Sequence, residues 1–216
     1  MPIQTVNRFQ EEEMTTAVQE TCEVISPIDG SVLEAVTMNT TEDLNKAVEA
    51  AQKAFESWSA LTLRDRSKVL YKYRELLLEN IEELSKLVQQ ENGKIYSEAR
   101  AEIEKAAEVT EFACALPQLG TDKILEVSRG IHCRLSREPL GVVASITPFN
   151  FPSMVPHWTI PIALGLGNAM ILKPSEKVPL SAFRTAENVA ASMSGCAGQR
   201  CMAASVMVAV GDGSCW

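Results

Sequence analysis

The stretch PLGVVASITPFNFPSMVPHWTIPIALGLGNAMILKPSE, Pro139 to Glu176, decides the fold. Gly141–Ile146 is apolar, small and β-branched, the composition of a buried strand. Thr147-Pro-Phe-Asn-Phe-Pro152 ends it, because prolines cannot serve a central ladder and restrict the residue before them. Met154–Leu166 has helical length, with Gly165 and Gly167 as stop signals. Ala169–Lys173 is a second strand, closed by Pro174. Strand, helix, strand is a βαβ unit, so the fold class is α/β, with a Rossmann-like parallel sheet covered on both faces by flanking helices. Ligands of such sheets sit outside the carboxyl ends of the strands, where Asn150 and Lys173-Pro-Ser-Glu176 fall.

Those residues carry usable chemistry. The Asn150 amide can donate to a developing oxyanion, and Lys173 with Glu176 can clasp a ribose. They equally suit a turn asparagine and a solvated ion pair. The wording separates these readings. PFNFP, then Gly167-Asn168, then KPSE resembles the aldehyde dehydrogenase superfamily. Gly198-Gln-Arg-Cys-Met-Ala203 resembles that superfamily's nucleophile motif, and GQRCMA with PFNFP is most similar to its CoA-acylating, methylmalonate-semialdehyde branch.

Outward from the motifs, the 216 residues suffice for one good-sized domain, and 46% hydrophobic content predicts a globule. A net charge of −8 argues against nucleic acid and anionic membrane surfaces. Six Cys without a CxxC pair and with only two His form neither a zinc pattern nor a disulfide framework, so no metal is expected. The start, MPIQTVNRFQEEEM, is unlike a signal or transit peptide, and no apolar run reaches spanning length; the reading is a soluble cytoplasmic protein with free thiols.

Upstream, residues 1–20 read as a flexible N-terminal arm. Glu23–Ile25 and Val32–Val36 flank the turn Ser26–Gly30 as a hairpin. A helix capped by Thr40 or Thr41 follows, with Leu44, Val48, Ala51 and Phe55 on one face. A second, capped by Thr62, runs to about Asn80; a third, Ile81–Glu91, stops at Asn92-Gly93. Ser97–Leu116 is a long Ala/Glu helix closed by Pro117. All four read as apolar stripes with solvated acidic faces. Lys123–Arg137, with Arg129-Gly130 as its turn, is a two-stranded ribbon. In the resembling family such a ribbon joins a neighbouring subunit, which implies a homo-oligomer.

Downstream, Pro179–Glu187 and Asn188–Gly195 read as two helical stretches, and the Cys motif arrives at once. The resembling fold needs further strand–helix units between KPSE and that motif, at about 30 residues per βαβ unit. Ser205–Val210 is one more apolar strand before Trp216. The resemblance therefore implies an incomplete fold, internally deleted between about Ser181 and Ala190 and truncated after the nucleophile. It divides the chain into the arm, a partial NAD-binding domain at 21–187 with the ribbon at 123–137, and the start of a catalytic domain at 188–216.

The resemblance also assigns roles. A thiolate adds to an aldehyde carbon, the adduct loses hydride to a nicotinamide, and CoA or water releases the thioester. Cys201 is the nucleophile, with Arg200 beside it for thiolate stabilisation or a substrate carboxylate. On residue type alone Cys201 also suits an inert buried thiol. Asn150 donates to the hemithioacetal oxygen. Lys173, Glu176 and Lys177 contact the adenosine ribose, and a glutamate there selects NAD over NADP; Thr147 and Phe149 border the nicotinamide, whereas Phe151 packs in the core. The small-molecule substrate is methylmalonate or malonate semialdehyde, although Lys105 stands where that branch offers a second arginine. The competing reading is an inactive chain that pairs with full-length subunits.

Overall fold

The computed structural model describes residues 20–119, 122–194 and 206–208. The expected N-terminal arm lies almost wholly outside them. The hairpin forms from β1 (Thr21–Ile25) and β2 (Val32–Thr37), paired antiparallel. Its turn is held by Asp29, whose carboxylate accepts from the Ser31 amide and hydroxyl.

Thr40 caps α1 (Thr41–Ser59) through a capping box: its hydroxyl accepts from the Asp43 amide, and Asp43 accepts from the Thr40 amide. The buried face of α1 is Ala47, Ala51, Ala54 and Trp58; of the predicted stripe Ala51 is buried and Phe55 packs partly buried beside it, whereas Leu44 and Val48 are 43% and 41% exposed. Small residues win because this helix lies close against the sheet, where Ala51 packs on Ala169 and Ile171. Thr62 caps α2 (Leu63–Glu79) as expected. Helix α3 (Ile81–Asn92) ends at Gly93, whose φ of 81° is left-handed and whose Cα faces the Pro27 ring. Helix α4 (Tyr96–Cys114) stops before Pro117, which sits instead in the first turn of the short α5 (Leu116–Leu119), where no N–H is required. The ribbon is present as β3 (Lys123–Ser128) and β4 (Ile131–Leu135), antiparallel and exposed along its whole length.

The βαβ unit forms from β5 (Val142–Ile146), α6 (Met154–Gly165) and β6 (Ala169–Lys173), with β5 and β6 parallel. Helix α7 (Leu180–Ser194) is continuous, so the two helical stretches read downstream of Pro179 are one element. Strand β7 (Val206–Val208) pairs parallel with the other side of β6, giving the order β5-β6-β7. Alternation along β6 sorts its side chains: Ala169 and Ile171 meet α1, while Met170 and Leu172 enter the main core with Leu70, Tyr73, Ile103, Ile160 and Val189. The expectation of two fully covered strands holds for β6 alone. Strand β5 is the edge among the described residues, and Ile146 is 61% exposed. In these residues no helix is long and apolar enough to cross a membrane.

Helix α6 is the centre of the packing. Its first amides, from Ser153 and Met154, donate to one buried carboxylate oxygen of Glu102, at 2.7 and 2.9 Å. At its other end the Gly165 carbonyl accepts from the buried Arg66 guanidinium (2.9 Å), and the Leu164 carbonyl accepts from the Trp58 indole (2.9 Å). Arg66 also donates to the Ser59 and Leu61 carbonyls. In the middle, buried His157 donates from Nδ1 to the Ser153 carbonyl, and its Nε2 accepts from the Tyr73 hydroxyl, 2.6 Å each. Helix α7 repeats the device: Glu91 accepts from the Leu180 and Ser181 amides at 2.7 and 3.0 Å.

Replacing Arg66 by Met strands several buried carbonyls and should cost about 3 kcal/mol in denaturant unfolding, with Lys recovering only part because it lacks the planar fork. A pH dependence follows as well. Burial, with repulsion from Glu102, raises the Glu91 carboxyl to about 7 against the amides that oppose it. The native chain then keeps a proton that the unfolded chain has released, so Glu91 removes stability as pH rises from 4.5 to 7. Burial pushes His157 down to about 4, so its contribution is present above 6.5 and is lost as pH falls toward 4. Each amounts to roughly 3 kcal/mol. The two nearly cancel over their shared window. Unfolding across that window should be almost flat in the parent, fall with acid in Glu91→Gln, and fall with base in His157→Asn.

Candidate active site

The carboxyl ends of β5 and β6 lie side by side, joined by the Thr147 amide donating to the Lys173 carbonyl at 3.0 Å. The opposite end of the unit is stitched by Asn168, whose side-chain oxygen accepts from the Leu140 and Gly141 amides. The two strands therefore end level, and the loops leaving them, 147–153 and 174–179, face the same space. This brings five predicted residues together. Thr147 is buried at the strand end. Phe149 is half exposed, and the Lys177 ammonium sits over its ring, 5.1 Å from the centroid. That cation–π contact ties one loop to the other.

Lys173 pairs with Glu176 at 3.3 Å, both side chains about three-quarters covered. Burial opposes the Glu176 charge, but its own backbone amide, Lys173 and Lys177 outweigh that and hold the carboxyl below its usual value. Glu176 is thus a stable anion and an acceptor for hydroxyl groups. Asn150 is exposed at the tip of its loop. Cys201 and Arg200 lie outside the described residues, as does the rest of the GQRCMA motif. Among the described thiols, Cys114 is pushed up to about 11 by burial and is inert, Cys22 is half-buried and Cys133 exposed.

Phe151 departs from the reading of it as a core residue: it is 39% exposed, and its ring carries the Lys94 ammonium 4.5 Å from the centroid. Lys94 is one of three residues at this loop that sequence reasoning missed. It forms an ion pair with Glu102 at 2.6 Å, with side-chain exposures of 11% and 1%, and donates to the Asn150 carbonyl at 3.0 Å. Asn92 donates to the Phe149 carbonyl at 2.8 Å. The signal was available for the carboxylates. Glu91 continues the stripe of Leu84 and Val88, and Glu102 that of Ala99, Ile103 and Ala106; both are charges inside apolar helical faces. Lys105, the departure from the substrate-binding pattern, is exposed and paired with Glu108.

The geometry offers a charged acceptor, two ammonium groups, an aromatic face and an amide tip at the ends of adjacent parallel strands, the position where α/β sheets hold ligands. Two sets of known proteins are similar to this chain. Malonate-semialdehyde dehydrogenase 1 of Geobacillus thermodenitrificans is 47% identical over 165 residues, 76% of this chain and 34% of that protein. The malonate-semialdehyde dehydrogenase of Halalkalibacterium halodurans is 46% identical over the same length. The crystal structure of methylmalonate-semialdehyde dehydrogenase from Oceanimonas doudoroffii superposes with a TM-score of 0.84 at 33% identity, over 93% of this chain and 40% of that one. PnpE, in complex with nicotinamide adenine dinucleotide, superposes with a TM-score of 0.82 at 32% identity, over 90% of this chain and 39% of that one. The chain thus spans roughly a third of the length of these curated relatives. The aldehyde dehydrogenase family model matches residues 14–193, most of the chain, and with the parallel strand ends and their motifs this makes the protein a member of the aldehyde dehydrogenase family.

Proposed function

We propose that the chain carries the NAD-facing part and the nucleophile of an aldehyde dehydrogenase that oxidises malonate or methylmalonate semialdehyde to an acyl-CoA. The observation that carries this reading is the level placement of Thr147–Asn150 and Lys173–Lys177 at the ends of β5 and β6. The similarity to malonate-semialdehyde dehydrogenases supports the substrate class. The residues fit the cofactor: Glu176 accepts from ribose hydroxyls and, being held ionised, repels a 2′-phosphate, which favours NAD over NADP. Lys173 donates from the other side, while Lys177, Thr147 and Phe149 border the bound group. Bound NAD supplies the hydride acceptor.

The chain's own residues do the rest. The Cys201 thiolate adds to the aldehyde carbon, and the Asn150 amide donates to the oxygen that gains negative charge. One such donor contributes about 3 kcal/mol to the barrier. Arg200 favours the thiolate and pairs with the substrate carboxylate. CoA then displaces the acyl group from the Cys201 thioester. In this scheme residues 21–187 form the cofactor-binding part and 188–216 begin the catalytic part, and full-length relatives supply the remainder.

A second reading has its own support. The ribbon exposes Ile124, Leu125, Val127, Ile131 and Leu135, and strand β5 exposes Ile146. Apolar surface of this extent suits a chain that pairs with full-length subunits and does no chemistry alone.

Absorbance of NADH, formed from malonate or methylmalonate semialdehyde with and without CoA, separates the two. Under the first reading turnover needs CoA, vanishes in Cys201→Ala and falls about a hundredfold in Asn150→Ala. Under the second the folded parent shows no turnover, yet co-purifies with a full-length family member.

A further inference from the structure

We infer that Asn92, Lys94 and Glu102 form a clamp that sets the direction of the Asn150 amide, acting as positioning residues for it. The inference rests on the proposed role of Asn150 as oxyanion donor. Asn150 lies at an exposed loop tip between Pro148 and Pro152, where packing alone does not orient it. A planar peptide precedes and follows every residue, and the orientation of those two planes defines φ and ψ, hence the Cα–Cβ direction. Both planes are held here. The carbonyl before Asn150, that of Phe149, accepts from the Asn92 side chain at 2.8 Å. The carbonyl after it, that of Asn150 itself, accepts from the Lys94 ammonium at 3.0 Å.

The clamp is anchored from below. Lys94 directs its ammonium to Glu102, to the Asn150 carbonyl and to the face of Phe151. Glu102 grips the Ser153 and Met154 amides with its other oxygen. With the Thr147 amide tied to Lys173, the loop is fixed at its start, at its end and on both sides of Asn150. A purely structural helix cap needs Glu102 and the lysine that neutralises it, but neither carbonyl contact. The contacts of Asn92 and Lys94 with the Phe149 and Asn150 carbonyls add nothing to the α6 terminus, yet they are the contacts that bracket the donor. Gly93 makes the arrangement reachable: its left-handed φ of 81° turns the chain directly between the two clamping residues.

The test uses the full chain and two readouts, NADH formation and the ¹⁵N resonances of the Asn150 side-chain amide and its loop. Asn92→Ala removes no buried charge, and Lys94→Met and Lys94→Arg complete the set. Asn92→Ala should lower kcat about tenfold and Lys94→Met about a hundredfold, at little change in KM for NAD, with Lys94→Arg regaining part of the loss. Adding Asn92→Ala to Asn150→Ala should cost nothing further, because the clamp acts through that amide. The Asn150 amide resonance should move in Asn92→Ala and Lys94→Met while α2 resonances stay in place. An unmoved Asn150 resonance overturns the clamp, as does a double variant losing the product of the two single losses. If Asn150→Ala leaves turnover intact, or the parent has none, the oxyanion reading fails by itself, and the resonances alone decide whether the clamp exists.

Discussion

Helix α6 begins without a cap from its own sequence and ends with help from other helices, so the rest of the structure supplies what it lacks. Ser153 makes no side-chain cap, and Pro161 interrupts the helix interior. The orphan amides go to Glu102 from α4, and the last carbonyls to Arg66 from α2 and Trp58 from α1. The two charged partners, Glu102 and Arg66, carry the signs that the helix dipole favours, negative at the start and positive at the end. Three helices far away in sequence are thereby tied to the one element that separates β5 from β6.

Burying such charges is costly, and the cost is met locally each time. Glu102 accepts two amides and an ammonium, which leaves it little unsatisfied capacity. Arg66 distributes its donors over three carbonyls. Glu91 has two amides but no cation on it, so desolvation prevails and its carboxyl rises. In its contacts Glu102 differs from Glu91 by one lysine. That lysine is also the group that reaches the loop above, so the charge that makes Glu102 tolerable is the one that contacts Asn150.

Much of this was legible in the sequence. The strands β5 and β6, the connecting helix, the ribbon and the Thr40 and Thr62 caps follow from local pattern, because turn chemistry and β-branched runs act over a few residues. The motif residues at the strand ends were legible for the same reason. What escaped was nonlocal. Treating Glu91 and Glu102 as solvated assumed that a carboxylate faces water, although each falls in register with an apolar stripe. Lys94 gave no local sign, since its role exists only after α4 packs beside α6. Leu44 and Val48 misled because size was taken for burial, whereas the contact with the sheet selected alanine. The break read near Glu187 misled too: a helix continues wherever its residues allow it, whatever lies beyond.

The distribution of uncovered apolar surface carries the last step. The main core is closed: its members from Trp58 to Met193 are nearly all inaccessible, and they come from six helices and β6. The ribbon is the reverse. Ile124 and Leu125 are sequence neighbours, so they point to opposite faces of β3, and both are exposed. A two-stranded ribbon with neither face buried is marginal in water by itself. The register sets Leu125, Val127, Cys133 and Leu135 on one face and Glu126, His132 and Arg134 beside Ile124 on the other, so the uncovered apolar surface lies mainly on one face. The core thus explains why this length of chain adopts the family fold over the residues it has, while the ribbon contributes no residue to that core. The chemistry divides along the same line: the strand-end loops are held by groups inside the closed core, while the ribbon's apolar face lies uncovered among the described residues.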